Sequence, residues 1–175
     1  MTNCVVLITG ASRGIGRAMA ISYVRAGVSG VILVARSSKK LDETEASLRA
    51  VVEEAGSRRQ AELKILKLAL DVADSRAVID AAAEVRSVFG RLDILVNNAA
   101  IMEPFALIAE SDENEWWHMW EINVKGTYLM TRSFLPLILE SDGGLKTVVN
   151  VTSRGAHKND PGCSSYSVSI SISYA

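Results

Sequence analysis

The sequence predicts a doubly wound α/β domain built on a parallel sheet. Two observations carry this: short, β-branched apolar runs alternate strictly with longer stretches of helical period, and the runs are apolar on both faces. Strict alternation implies right-handed crossovers, with helices laid on both faces of the sheet. At 175 residues and 49% hydrophobic content, with no internal repeat and no Pro- or Gly-rich linker, residues 1–175 are expected to form a single domain with a sizeable core.

The first run, CVVLITG at 4–10, reads as a buried strand closed by glycine. From 14 to 26, Ile15, Ala18, Met19 and Tyr23 recur at helical spacing, and Gly27 stands where a helix C-terminus favours glycine. VILVA at 31–35 is the second strand, followed by an amphipathic stretch in which Leu41, Leu48, Val51, Val52 and Ala55 share a face before Gly56. LKILKLAL at 63–70 is the third strand, and 74–89 a helix ending at Gly90. LDILVN at 92–97 is the fourth strand. Residues 112–139 read as mostly helix, with Pro136 expected to kink or shorten it. KTVVNVT at 146–152 is the fifth strand, and the rhythm calls for another helix from residue 163.

Composition excludes several classes. Nineteen Lys and Arg balance twenty Asp and Glu, so there is no basic excess to neutralise a nucleic-acid backbone or an anionic membrane. No run approaches the roughly 18 apolar residues that span a bilayer, and the N-terminus lacks the basic segment of a signal peptide. Cys4 and Cys163 lie far apart without metal-ligand spacing, and neither His118 nor His157 has a second ligand at helical spacing, so no metal site is expected. A reducing, cytoplasmic setting fits this usage. Trp116, Trp117 and Trp120 fall within about one helical turn and read as packing or a subunit contact; a homo-oligomer is left open.

In such sheets ligands bind beyond the carboxyl ends of the strands. The turn after the first strand is TGASRGIGRA, where Gly10, Gly14 and Gly16 let the backbone approach a pyrophosphate and the following helix aims free N–H groups at it. Its G-x-x-x-G-x-G spacing differs from G-x-G-x-x-G and from a P-loop, which disfavours triphosphate chemistry. A dinucleotide fold carries its ribose-selecting residue about 20 residues past this turn, an acid for NAD or an Arg for the 2′-phosphate of NADP. Here Arg36 stands there, with Arg13 inside the turn as a second guanidinium, so NADP(H) is the expected cofactor. The competing reading leaves both arginines merely solvated.

TGASRGIG at 9–16, LDV at 70–72, NNAA at 97–100, Asn123 in INVKGTY, Ser153 in NVTSRGA and Tyr166 in SSYSVS occur in an order and at spacings that resemble the short-chain dehydrogenase/reductase family. The motifs cover nearly the whole chain. The resemblance implies a Rossmann-like doubly wound parallel sheet of which five strands are readable. It also implies an oxidoreductase moving hydride between NADP(H) and a small-molecule carbonyl or secondary alcohol. By position, Gly10, Ser12, Arg13, Gly14, Ile15, Gly16 and Arg36 would bind the cofactor. Asp71 and Val72 would meet its adenine, and Asn97 with Ala99 would support the adenosine half and lock the central strand. Ala100 replaces the usual Gly of NNAG. Ser153 would hold the substrate carbonyl, Tyr166 would exchange a proton with it, and Asn123 would hold a helix open around a proton-relaying water. Taken singly, Asn123 reads equally as a helix kink, Ser153 as a strand end and Tyr166 as packing.

The family pattern Tyr-x-x-x-Lys puts a Lys one turn past the Tyr, but residue 170 is Ile. Without that cation a Tyr of pKa near 10 is about one part in a thousand ionised at pH 7, a shortfall of roughly 4 kcal/mol if phenolate is the working base. The stretch SVSISIS at 167–173 also alternates with a period of two, a strand's pattern. The expectation is therefore a chain truncated or altered after Tyr166, lacking C-terminal strands and weak in catalysis. KTVVNVT would be left as an exposed apolar edge of low solubility. The alternative is a dinucleotide-binding or interaction module without chemistry.

Overall fold

In the computed structural model, residues 3–54, 63–102, 104–158 and 160–172 are described. Five strands, β1 (Val5–Thr9), β2 (Gly30–Ala35), β3 (Lys64–Ala69), β4 (Ile94–Asn97) and β5 (Thr147–Asn150), form one sheet in the order β3-β2-β1-β4-β5. All pairings are parallel, from Val5 opposite Gly30 to Asn97 opposite Asn150. Helices α1 (Gly14–Arg25), α2 (Ser38–Glu54), α3 (Ser75–Phe89), α4 (Glu113–Trp120), α5 (Thr127–Glu140) and α6 (Ser164–Ile172) connect and flank the strands. Strand order reverses at β1, which has β2 on one side and β4 on the other. That places the crevice beyond the ends of β1 and β4.

Period-two alternation sends successive β1 residues to opposite faces. Val5 and Leu7 join Ile32, Leu95, Val78, Phe134 and Leu137 in one core, while Val6 and Ile8 join Val31, Leu33, Ala20, Leu41 and Leu48 in the other. Both faces of the central strands are therefore dry, which is why their sequences are continuous apolar runs. Asp93, 1% exposed, ties the start of the sheet together. Its carboxylate accepts from Val5 N–H at 2.8 Å and from the Arg91 fork at 3.0 and 2.6 Å.

The helix ends follow local chemistry. Asp74 caps α3 by accepting from the N–H groups of Arg76 and Ala77, and Gly90 ends it at φ +67°, where glycine is unstrained. α4 runs into a π-helical segment, Glu121–Gly126, and then α5, so the long helix expected over 112–139 is present but opened at its centre. Pro136 does not shorten α5, which continues to Glu140.

The strand-like reading of the tail is overturned, because residues 164–172 form α6. Its serines hide their polarity inside the helix: Ser171 Oγ donates to Ser167 C=O at 2.7 Å, and Ser169 Oγ to Tyr166 C=O at 3.0 Å. The Ala55 and Gly56 end of the second amphipathic stretch lies outside the described residues. β5 stands at one margin of the described sheet, with Val149 36% exposed. Among the described residues no helix is long and apolar enough to cross a membrane, and no His, Cys, Asp and Glu cluster could hold a metal.

Candidate functional site

A groove of about 680 Å³ opens at the carboxyl ends of the strands. The turn after β1 lines it, where Gly10 and Gly14 take φ values of +66° and +53° that glycine adopts most readily. Gly10, Ser12, Arg13, Gly14 and Ile15 all line it. α1 starts here without a side-chain cap and without an acid in its first turn. Its N-terminal amides and dipole are therefore left for an anion.

Gly16 stands behind this lining. A β-carbon there would collide with the Gly10 carbonyl, so its bare Cα is what lets α1 approach the turn. Asn98 laces the turn to β4: its N–H donates to Thr9 Oγ1 and its side-chain Nδ2 to Thr9 C=O, each at 2.9 Å. Ala99 N–H donates to the same Thr9 hydroxyl at 2.9 Å.

After β2, Arg36 and Lys40 line the groove, and both are exposed, as is Arg13. Among the described residues, three cations thus line the groove, with Asp71 as the single lining carboxylate. Asp71 folds its own turn, accepting from Ala73 N–H at 2.9 Å, and Val72 beside it also lines the groove. Ala99 completes the wall with Ala100 and Ile101. Asn97 does not reach the groove. It is buried behind β4, donating from Nδ2 to Thr131 Oγ1 at 3.0 Å and Asn150 Oδ1 at 2.9 Å.

Ser153 and Tyr166 meet above Gly155. A β-carbon on Gly155 would lie 2.8 Å from Tyr166 Cε1 and 3.6 Å from Ser153 Oγ, so the missing side chain makes room for the ring beside the hydroxyl. Ser153 Oγ accepts from Gly155 N–H at 3.1 Å, which directs one of its lone pairs into the turn Arg154–His157. Asn123, 1% exposed in the π-helical segment, clasps the backbone of Ile101. Its Oδ1 accepts from Ile101 N–H at 2.9 Å, and its Nδ2 donates to Ile101 C=O at 3.0 Å and to Ser169 Oγ at 2.9 Å. Thr127 Oγ1 donates to the Asn123 carbonyl at 2.8 Å, occupying an acceptor in the opened helix.

α6 is held in place by α4 and the turn after Ser153. Trp116 Nε1 donates to Ser164 Oγ at 3.1 Å and Ser165 Oγ to Trp116 C=O at 2.7 Å, and the one Ser171 hydroxyl proton is shared between Ser167 C=O and Ala156 C=O, the latter at 2.9 Å. Trp116 also stacks on Trp120 with centroids 5.6 Å apart and meets Trp117 edge-on at 4.9 Å. A small crevice lined by Met102, Trp116, Met119, Cys163 and Tyr166 lies between these elements. His118 faces Glu121 at 3.6 Å on the same helical stretch, away from any metal-ligand set among the described residues.

Lys40 and Asn98 are among the groove residues that the sequence did not single out. Asn98 lay within the NNAA motif, whereas Lys40 reaches the groove only because α2 begins at Ser38. Ile170 is 3% exposed, one turn beyond Tyr166, and Lys158 is an exposed loop residue.

Residues 4–169 match the family model described as short chain dehydrogenase. The chain is 52% identical over 161 residues to short chain dehydrogenase mpl6 of Monascus purpureus, covering 92% of this chain and 53% of that protein. It thus spans about half the length of that curated relative. A protein from Shigella flexneri solved in complex with NADP superposes with a TM-score of 0.82 at 29% identity, covering 97% of this chain and 67% of the other. An NAD+-bound xylitol dehydrogenase superposes with a TM-score of 0.84 at 26% identity, covering 96% and 60%.

Proposed function

The chain belongs to the short chain dehydrogenase family, and from that premise we propose that it binds NADP(H) and acts on a small-molecule carbonyl or secondary alcohol. The observation that carries this reading is the groove, lined by a glycine turn, an uncapped helix start and the cations Arg13, Arg36 and Lys40. Amides and dipole suit the diphosphate, and a 2′-phosphate gains from charge-assisted contacts that a bare ribose hydroxyl does not offer. Asp71 and Val72 are read as the adenine wall, while Asn97 and Gly16 act from behind the lining.

The nicotinamide ring, when bound, supplies or takes the hydride. Ser153 holds the substrate oxygen by its hydroxyl, Tyr166 gives or takes the proton at its phenol oxygen, and Asn123 keeps the Ile101 loop and the opened helix in register with them. The convergence of Ser153 and Tyr166 over Gly155 supports these roles. Residues 1–175 are read as one dinucleotide-binding domain of a cytoplasmic protein. The exposed Tyr128, Leu135 and Leu139 on α5 support self-association through that helix.

Titration of NADPH and NADH by fluorescence at two salt concentrations tests the reading. Tighter NADPH binding that weakens with salt is expected, and equal affinity for both coenzymes overturns the NADP assignment.

Ile170 favours a second reading, coenzyme binding without turnover. An apolar, 3%-exposed side chain stands where the family pattern has a Lys and brings no charge toward Tyr166. A steady-state assay with NADPH and a panel of ketones separates the two. Binding without turnover supports the second, and ordinary turnover excludes it.

A further inference from the structure

Ser169 does not line the groove, yet it joins two residues of the candidate site. It is fully enclosed, with 0% of its surface exposed. Its single hydroxyl proton goes to the Tyr166 carbonyl at 3.0 Å, so toward Asn123 the oxygen can only accept. Asn123 Nδ2 donates to it at 2.9 Å. The remaining capacity of that amide is committed to Ile101, which gives its N–H to Oδ1 at 2.9 Å and takes a second Nδ2 contact at 3.0 Å. Reversing the amide would set its NH2 against the Ile101 N–H and its oxygen against the Ile101 carbonyl, so the clasp fixes one orientation of Asn123 and Ser169 accepts the remaining Nδ2 proton.

We propose that Ser169 is a positioning residue. It locks the Asn123 carboxamide to the helix carrying Tyr166, so that the opened helix, the Ile101 loop and the Tyr166 helix move as one unit. The functional weight of this lock rests on the reading of Asn123 and Tyr166 given above. The lock itself rests on four hydrogen bonds and the burial of the serine. In a dry site, removing the hydroxyl leaves an amide hydrogen without an acceptor. That loss is felt at Asn123 and Ile101 before it is felt in the sheet.

The test is amide hydrogen exchange by NMR on the full chain without coenzyme, comparing wild type, Ser169→Ala and Ser169→Thr. In Ser169→Ala, the Asn123 side-chain amide and Ile101 N–H should exchange at least about tenfold faster, while Leu7 N–H in β1 changes by clearly less. Ser169→Thr, which keeps the hydroxyl, should return both to near the wild-type rate. Unchanged exchange at Asn123 and Ile101, or acceleration equal to that of Leu7, overturns the proposal. If Ser169→Ala does not fold, Ser169→Cys is read by the same criteria, since sulfur is a weak acceptor. A parallel NADPH titration keeps the two claims apart. Coenzyme binding with unaltered exchange defeats the lock alone, and altered exchange without coenzyme binding defeats the functional reading alone.

Discussion

Gly16 is packed directly against the Gly10 carbonyl. A β-carbon on Gly16 would meet that oxygen and also lie 2.7 Å from Asn98 Nδ2. Neither neighbour is free to retreat, since one is backbone and the other is bonded to the Thr9 carbonyl. Gly16→Ala is therefore expected to push α1 away from the turn. Denaturant unfolding should show a loss of about 1–3 kcal/mol, and NADPH affinity should fall by more than tenfold in a fluorescence titration.

Arg13, Arg36 and Lys40 carry the coenzyme choice in our reading. Replacing Arg36 by Ala should weaken NADPH binding by about 1.5–3 kcal/mol, the range for a charge-assisted contact, and leave NADH nearly unchanged. Lys40→Ala should act in the same direction but less, because a Lys offers a point charge and not a fork. Titrating both coenzymes against each variant checks this, and a parallel drop in NADH affinity would contradict it.

Asp93 is a buried carboxylate that serves β1 and Arg91 at once. Asp93→Ala strands the Val5 N–H and leaves the Arg91 guanidinium, itself only 22% exposed, without its partner. The expected loss is about 3–5 kcal/mol in urea unfolding, with the slope of the transition unchanged.

Glu45 lies between Lys67, 2.7 Å away, and Arg49, whose Nε donates at 2.9 Å. The hydrogen bond from Lys67 does most to hold its carboxyl below the usual range, and burial partly opposes this. A folded value below the unfolded one means stabilisation that is present above the unfolded pKa of about 4.3 and lost as pH falls through the folded value. The stability gap between wild type and Glu45→Gln should be constant near neutrality and close below about pH 4. Urea melts over that pH series measure it, and a gap that widens toward acid would refute the sign.

On the open margin of the sheet, Val149 pairs with Val96 on one side and is 36% exposed. Val149→Lys should raise the concentration at which the protein stays monodisperse, because charge on an edge strand blocks further pairing. Light scattering across a concentration series reads this out.

The sheet was legible because its central strands β1, β2 and β4 are buried on both faces, which forces runs such as VVLIT and GVILVA. The glycine turn was legible for a related reason, since Gly10 and Gly14 need positive φ and no other residue adopts it as readily. A motif fixes sequence neighbours and not side-chain direction: within NNAA, Asn98 laces the glycine turn to Thr9 while Asn97 bonds Thr131 and Asn150. α6 divided the sequence signals: the strand–helix rhythm called for a helix from residue 163, and the composition of its end argued for a strand. Alternating serines look like a strand until their hydroxyls are seen to bond within the helix and to its neighbours, at Ser167, Ala156 and Trp116.

The chain's three indoles all sit in one corner, with ring centroids within 6.0 Å of one another, and Trp116 is bonded to the first residue of α6. Intrinsic emission is thus a local gauge of how α4 seats the tyrosine-bearing helix, blind to the sheet. Refolding traces followed by tryptophan signal and by circular dichroism should accordingly time two different events, the closing of that seam and the assembly of the strands.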